Sequence, residues 1–460
     1  MTRNEERLGF REKLGYGLGD TASNFYLGFF GAFLLYYYTD VYGLAPAAVG
    51  TMLLVTKILD AISDPVMGLI ADRTNSRWGK FRPYLVWVAV PYGICGYLMF
   101  VGPEFSDTGK LIYAYITYSL VMLAFTAINV PYSALLGVIS ASSEERTRVT
   151  TYRFFCAAAG GMLIGALVTP LKNYLGGGDE ALGFKLTMAL FASISVMLFF
   201  ITFVTTRERV VPQQQTSSVG SDLAAIMKNG SWLLLVVCGL LIITAVSARG
   251  SSAIYYLKYY LGDDGSTVFL VFDATALFLG FGALSQVVGV TLTHHLARWF
   301  DKHHIVSTLC FINAASLVGF FFIPEDAFGL MLIIHGIGFF SFGPTIALLF
   351  AMYTDCGEYG EWRTGQRTTG LIVSASMFSL KFGSAVGAAV PGFMLAAYGF
   401  VANQAQTPQA MEGIQIMFSL VPATCYVAAG VVILFYRLTR ELMQTIESDL
   451  YERRLATEQV

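Results

Sequence analysis

The chain alternates long apolar runs with short polar connections, and the runs are too long for strands. A helix needs about 20 mostly apolar residues to cross a bilayer. Runs of that kind fall near 15–38, 45–71, 83–101, 110–139, 153–173 and 182–204. A polar stretch from Thr205 to Ser231, with Arg207, Glu208, Arg209 and Asp222, interrupts them. A second set follows near 232–260, 266–296, 304–323, 328–353, 368–399 and 413–437. The pattern predicts an all-α membrane protein with twelve transmembrane helices in two six-helix bundles. It divides the chain into an N-terminal bundle over 1–204, a central cytoplasmic loop over 205–231, a C-terminal bundle over 232–437 and a cytoplasmic tail over 438–460. The spans near 110–139, 266–296 and 368–399 are long enough to be tilted or broken.

Composition points to the same solvent. Of 460 residues, 55% are apolar and 13% charged, against about 25% charged in an average soluble domain. The mean hydropathy is +0.60. With 29 Lys and Arg against 31 Asp and Glu, there is no basic footprint for a nucleic-acid partner. The expected partners are the lipid bilayer and whatever crosses it. No soluble domain offers itself for catalysis, so no enzyme activity and no cofactor are expected. Five of the six cysteines lie in apolar runs and Cys356 in a polar stretch, a pattern of neither disulfides nor metal ligands. His294, His295, His303 and His304 flank a connection without a third ligand at helical metal spacing, which argues against zinc there. The charged N-terminus has no short apolar core and cleavage site, so no cleaved signal peptide is expected.

Basic residues of the connections set the orientation. They crowd into the N-terminus, 73–82, 146–148, 205–231, 298–302, 363–367 and the tail, whereas only Lys110, Lys172, Lys185 and Lys258 fall on the other side. Both termini are therefore expected in the cytoplasm, with the protein in a bacterial-type inner (plasma) membrane. The halves also resemble each other: Tyr36-Tyr37-Tyr38-Thr39-Asp40 closes the first span and Tyr255-Tyr256-Leu257-Lys258-Tyr259-Tyr260 the seventh. Asp72-Arg73 recurs as Asp301-Lys302 after the eighth.

Ionisable residues inside spans are expensive and by default functional. Lys57, Asp60 and Asp64 fall on a stripe about 60° wide on one helix face. Two carboxylates so close repel unless Na⁺ or a shared proton lies between them, and Pro65 can free a carbonyl or kink the helix. A Lys57–Asp60 pair alone would leave Asp64 unexplained. Asp20 has no neutralising neighbour in sequence, and Arg153 is its expected tertiary partner, well suited to sugar hydroxyls. Asn129 adds a neutral hydrogen-bonding group beside Pro131. Lys381 is a cation deep in the eleventh span that needs an anion, with Asp60 and Asp64 the candidates. Arg249 and Asp273 are expected near the outer face or paired together. The polar loop read from Asp355 to Arg367 places Asp355, Glu358 and Glu361 to meet Arg73, Arg77, Arg82 and Arg146 as a cytoplasmic gate.

Two parallel six-helix halves with a charged knot between the second and third spans resemble the major facilitator superfamily, which binds substrate at mid-membrane. More closely, the sequence resembles the glycoside-pentoside-hexuronide:cation symporters, the group of the melibiose and glucuronide carriers. The residues that carry this run nearly end to end: Gly15-Tyr16-Gly17-Leu18-Gly19-Asp20, Asp60-Ala61-Ile62-Ser63-Asp64-Pro65, Asp72 to Pro83, Asn129-Val130-Pro131-Tyr132 and Asp355 to Arg367. The resemblance implies a coupling cation, Na⁺ or H⁺, at Asp60 and Asp64 with Ser63 and Thr126 close by. It implies substrate contacts at Asp20 and Arg153, and Lys381 matches the family's helix-eleven lysine. Asn129 and Ser133 depart from the melibiose carrier's aspartate and tryptophan, so galactoside specificity does not carry over. The expected function is uptake of a glycoside, pentoside or hexuronide by cation symport. A lysolipid-type or other amphiphile carrier of the same fold is the alternative.

Overall fold

The computed structural model describes residues 7–140, 142–210, 227, 229–364 and 369–458. Most of the loop expected over 205–231 lies outside the described residues, as do Arg3, Lys228 and Arg367. Helices account for nearly all of the rest, and among the described residues the only β contacts are isolated bridges at Ser76–Gly79 and Phe269–Phe272. In chain order the helices are α1 Phe10–Tyr36, α2 Pro46–Arg73, α3 Tyr84–Trp87, α4 Ala89–Leu98, α5 Asp107–Ile139, α6 Ser143–Gly176 and α7 Glu180–Thr205. They continue as α8 Gly230–Tyr255, α9 Ala274–Trp299, α10 Lys302–Phe322, α11 Phe328–Thr364, α12 Thr369–Ala397, α13 Pro408–Phe418, α14 Leu420–Ile433 and α15 Arg440–Glu458. Among the described residues, nine helices are long and apolar enough to cross a membrane. All-helical architecture follows from the solvent, since in hydrocarbon every backbone amide and carbonyl must be satisfied within its own segment.

Helix ends depart from the apolar runs in both directions. α11 stays helical to Thr364, so Asp355, Cys356, Glu358 and Glu361 lie on a helix where a polar loop was expected, and Cys356 is fully buried. α6 begins at Ser143, ten residues ahead of its apolar run, with Ser142 Oγ accepting from the Glu145 amide at 3.3 Å. In both places polarity marks where lipid ends, while the helix runs on wherever its backbone bonds can. Two expected spans are broken. The one near 83–101 divides at Val88 and the one near 413–437 at Ser419. Pro91 and Pro422 each stand in the first turn of the second piece, where a missing amide is tolerated. The span expected from 266 starts instead at Ala274, after an irregular stretch with Leu270 at φ 55°. Asp273 caps it, accepting from the Ala276 amide at 2.7 Å.

The chain divides into two compact units. The first comprises Met1–Gln214, Ser251–Ala283 and Pro391–Met411, and the second Gln215–Gly250, Leu284–Val390 and Glu412–Val460. Contacts thus group two segments of the later sequence, 251–283 and 391–411, with the first unit. Within it, α1 packs on α6 and α7, and α2 on α5. Glycines allow this closeness. A Cβ at Gly17 would stand 2.9 Å from the Tyr152 carbonyl oxygen on α6, and one at Gly19 2.6 Å from the Tyr132 ring on α5. Small residues are the usual device for close helix packing in lipid.

The second unit uses the same device between α9 and α11. A Cβ at Gly343 would lie 2.5 Å from the Gln286 carbonyl oxygen, and one at Gly289 would overlap the Phe340 carbonyl oxygen. Backbone cannot swing aside as a side chain can, so Gly289→Leu should destabilise by about 1–3 kcal/mol. It should appear as a lower thermal midpoint in detergent. Gly31→Ala, where a Cβ meets nothing within 4 Å, should leave the midpoint near the parent's. Equal midpoints for both variants would contradict this packing.

Candidate transport site

Asp60 and Asp64 of α2 meet α5. Asp60 is buried, Ser63 and Asp64 half-buried, and their i, i+3, i+4 spacing keeps them on one helix face. Thr126 on α5 meets both carboxylates, its Oγ1 lying 2.7 Å from Asp60 Oδ1 and 3.2 Å from Asp64 Oδ1. Ser63 Oγ lies 3.2 Å from Thr126 Oγ1 and 2.9 Å from the Asp60 carbonyl oxygen. A hydroxyl has one proton to donate, so Thr126 serves one carboxylate at a time. Pro65, inside α2, removes the amide that would bond the Ala61 carbonyl. Two carboxylates and two hydroxyls form an all-oxygen donor set of the kind a hard cation takes. A shared proton would relieve the same repulsion.

A second polar group lies where α1, α5 and α6 meet. Arg153 Nη2 on α6 is 3.3 Å from Asp20 Oδ1 on α1, and the guanidinium carbon stands 5.2 Å from the centre of the Tyr132 ring. Tyr132 and Tyr16 stack at 4.6 Å and bond each other's backbones, Tyr132 Oη donating to the Tyr16 carbonyl at 2.7 Å and Tyr16 Oη to the Tyr132 carbonyl at 3.1 Å. The glycines at 17 and 19 let Asp20 approach so closely. Arg153 Nε is buried without a hydrogen-bond partner, as is Asn129 Oδ1 on α5. At this pair a carboxylate and a guanidinium with a donor still unspent stand together, the equipment for recognising hydroxyls.

The remaining sequence candidates fall in different settings. Lys381 is half-buried on α12 in the second unit. Arg249 is buried there too, 3.0 Å from His335 Nδ1 and ringed by Phe320, Phe339 and Phe418 at 5.1, 5.4 and 5.2 Å. The expected Arg249–Asp273 pair is replaced by this cage, for Asp273 takes the Ala276 amide and Asn173 Nδ2 in the first unit. Burial pushes the Asp273 carboxyl up to about 6, and nearby Asp263 acts in the same direction. Of the residues expected to form a gate, Asp355 binds Lys302 at 2.7 Å within the second unit. Arg82 donates to the Phe203 carbonyl at 2.7 Å and Arg146 to the Ser140 carbonyl at 2.8 Å, both within the first. Arg77 lies over the Trp78 ring at 4.7 Å.

Sequence reasoning missed the acids that organise this arginine-rich end. Glu208 accepts from the amides of Lys80, Phe81 and Arg82 at 2.9, 2.8 and 2.9 Å, in space that only Gly79, at φ 110°, leaves open. Glu145 binds Lys13 at 2.7 Å and the Leu8 amide at 3.0 Å.

At the opposite end of the first unit lies a polar network that the sequence did not announce. α1 and α8 both finish in a π-helical turn, Tyr37–Val41 and Tyr256–Tyr260, the two stretches that match in sequence. Lys258 on the second turn reaches Asp40 on the first at 3.3 Å, Tyr36 Oη at 2.7 Å and Asn403 Oδ1 at 3.0 Å. Tyr36 Oη also bonds Glu180 at 2.9 Å, which Lys172 holds at 2.6 Å. Tyr259 Oη donates to Asp40, and Thr39 Oγ1 meets Tyr255 Oη at 2.6 Å. Beneath this network is a cavity of about 350 Å³ lined by Phe33, Tyr36, Thr169, Lys172, Glu180 and Lys258, among others. Lys258 was read only as a connection cation, because its partners come from 40, 36 and 403.

Comparison with known proteins places this arrangement. The MFS/sugar transport protein family profile matches residues 15–440. The chain is 38% identical over 448 residues to the inner membrane symporter YicJ of Escherichia coli, covering 97% of this chain and 95% of that one. It is 32% identical over 442 residues to the isoprimeverose transporter of Lactiplantibacillus pentosus, covering 93% and 89%. Among solved structures, a mutant of the nucleoside transporter NupG superposes with a TM-score of 0.66 at 14% identity, over 92% of this chain and 98% of that one. Fold, family profile and end-to-end identity agree: this chain is an integral membrane transporter, not an enzyme, and belongs to the glycoside-pentoside-hexuronide:cation symporter family of the major facilitator superfamily.

Proposed function

We propose that the protein couples uptake of a glycoside, pentoside or hexuronide to Na⁺ or H⁺ by alternating access. Its twelve spans form two six-helix bundles in a bacterial inner membrane, with both termini in the cytoplasm. The observation that carries the reading is the convergence of Asp60 and Asp64 on Thr126, at 2.7 and 3.2 Å. Two carboxylates brought together inside a spanning segment repel, and a cation between them relieves that repulsion. The names of the relatives, a symporter and an isoprimeverose transporter, support the same class of chemistry.

In this reading Asp60, Asp64, Ser63 and Thr126 bind the coupling cation. Asp20, Arg153, Asn129 and Lys381 contact the substrate, the first two by presenting a carboxylate and a guanidinium to sugar hydroxyls. Closure at the arginine-rich end brings Asp355, Glu358 and Glu361 to Arg73, Arg77, Arg82 and Arg146. Asp355 must then exchange Lys302 for a new partner, as Arg82 must exchange Phe203 and Arg146 Ser140. Where such an exchange is open to solvent it is worth on the order of 1 kcal/mol or less, which suits a gate that opens in every cycle. The Lys258 network is the gate at the opposite, outer end.

Three outcomes follow. Asp60→Asn and Asp64→Asn should each lower concentrative uptake in vesicles at least tenfold while sugar counterflow persists; undiminished accumulation would remove the cation assignment. Asp20→Ala should abolish calorimetric sugar binding and spare cation-dependent stabilisation, whereas sugar binding at parental affinity would remove Asp20 from the substrate site. Lys258→Ala should speed labelling of Thr169→Cys, in a cysteine-less background, several-fold by an impermeant reagent from outside. An unchanged rate would show that Lys258 does not hold the outer end shut.

A further inference from the structure

We propose a transition-metal site, separate from the transport pathway, at the corner between α9 and α10, formed by Asp301, His303 and His304 and suited to Zn²⁺. The two histidines lack a partner at the usual helical spacing, but the fold supplies one from the residue before the helix. One ligand atom from each of the three lies within 4.8 Å of the others. The imidazole rings of His303 and His304 are 4.0 Å apart, and His304 Nδ1 is 3.8 Å from Asp301 Oδ2.

Two independent features point to a ligand. His303 is 6% exposed, and its Nδ1 is buried with no hydrogen-bond partner. A buried polar atom of that kind is rare and asks for an explanation. Asp301 occupies the N-cap of α10, where an aspartate ordinarily accepts an amide of the first turn, yet it makes no such bond. Its Oδ1 instead accepts the Arg440 amide at 3.0 Å, and its Oδ2 turns toward His304.

The surrounding charges leave room for a cation. The Lys302 ammonium is drawn to Asp355 at 2.7 Å, and the Arg440 guanidinium donates to the Arg298 carbonyl at 2.6 Å, so neither neutralises Asp301 through its side chain. The positive end of the α10 dipole opposes a cation, but it amounts to about half a charge, against a full carboxylate. Two imidazoles and a carboxylate, with solvent as the fourth ligand, form a donor set taken by Zn²⁺. Through Asp301 the ion would tie this corner to the start of α15, which packs on α11.

The test uses the full chain, purified in detergent without a polyhistidine tag and stripped by chelator. Calorimetric titration with Zn²⁺ should show one saturable site per chain, together with a rise in thermal midpoint. His304→Ala, at an exposed position, and Asp301→Asn should each weaken binding at least tenfold while melting near the parent in the absence of metal. The double variant His294→Ala/His295→Ala should bind as the parent does. Co²⁺ in place of Zn²⁺ should give visible bands without intense thiolate charge transfer. The proposal is overturned by absence of saturable binding, by parental affinity in either His304→Ala or Asp301→Asn, by loss of binding in the His294/His295 variant, or by a thiolate band.

Discussion

A charge placed among apolar helices must be met by something polar, because the bilayer offers no water to screen it. Most of what is distinctive in this molecule answers that demand. Asp20 is met by Arg153, Asp60 and Asp64 by one threonine hydroxyl, Arg249 by a histidine and three phenylalanine faces. Among these contacts, Asp20 to Arg153 joins α1 to α6, and Asp60 and Asp64 to Thr126 joins α2 to α5. At Asp60 and Asp64 two carboxylates on one face of α2 converge on the hydroxyl of Thr126. On the proposed reading this pair of acids on α2 is where a coupling ion binds, and the carboxylate and guanidinium of Asp20 and Arg153 are what the substrate meets.

Close approach of backbones is the second condition, and glycine supplies it. Gly17 and Gly19 let α1 lie against α6 and α5 tightly enough for a short aspartate to reach an arginine. Gly79 leaves the space in which Glu208 gathers three successive amides, so the connection between α2 and α3 is held by one carboxylate. At the other end of the first unit, Lys258 gathers Asp40, Tyr36 and Asn403. The two ends are built differently: carboxylates on backbone amides and arginines at one, a lysine threaded through tyrosines and a carboxylate at the other. Ion pairs that are part-exposed are individually weak, so such networks suit contacts that form and release.

Polarity proved a better guide to the membrane than to the helix. Asp355, Glu358 and Glu361 read as a loop because the apolar run ends before them, yet α11 carries them on to Thr364. The same reasoning delayed the start of α6, whose first turns are charged. Conversely, Pro91 and Pro422 divide runs that look continuous, because a missing amide acts on the backbone and leaves hydropathy almost untouched. His303 and His304 illustrate the limit for ligands: a search by helical spacing passes over Asp301, which reaches them from the turn before the helix.

By itself the sequence determined the solvent, the helical class and the face of α2 on which Asp60 and Asp64 lie, since hydropathy, composition and 3.6-residue periodicity are local properties, and its motifs carried the resemblance to the family. It also singled out Asp20 and Arg153 as groups in need of tertiary partners. Arg153 was the partner expected for Asp20 and Thr126 the neighbour that the resemblance implied for the two aspartates, and the fold brings both into reach. Only the tertiary structure decided the rest: Lys302 for Asp355, His335 for Arg249 and Asp40 for Lys258 are choices among many residues of suitable chemistry. They depend on which helices lie side by side and how closely glycine lets them pack, and those are properties of the assembled chain rather than of any segment of it.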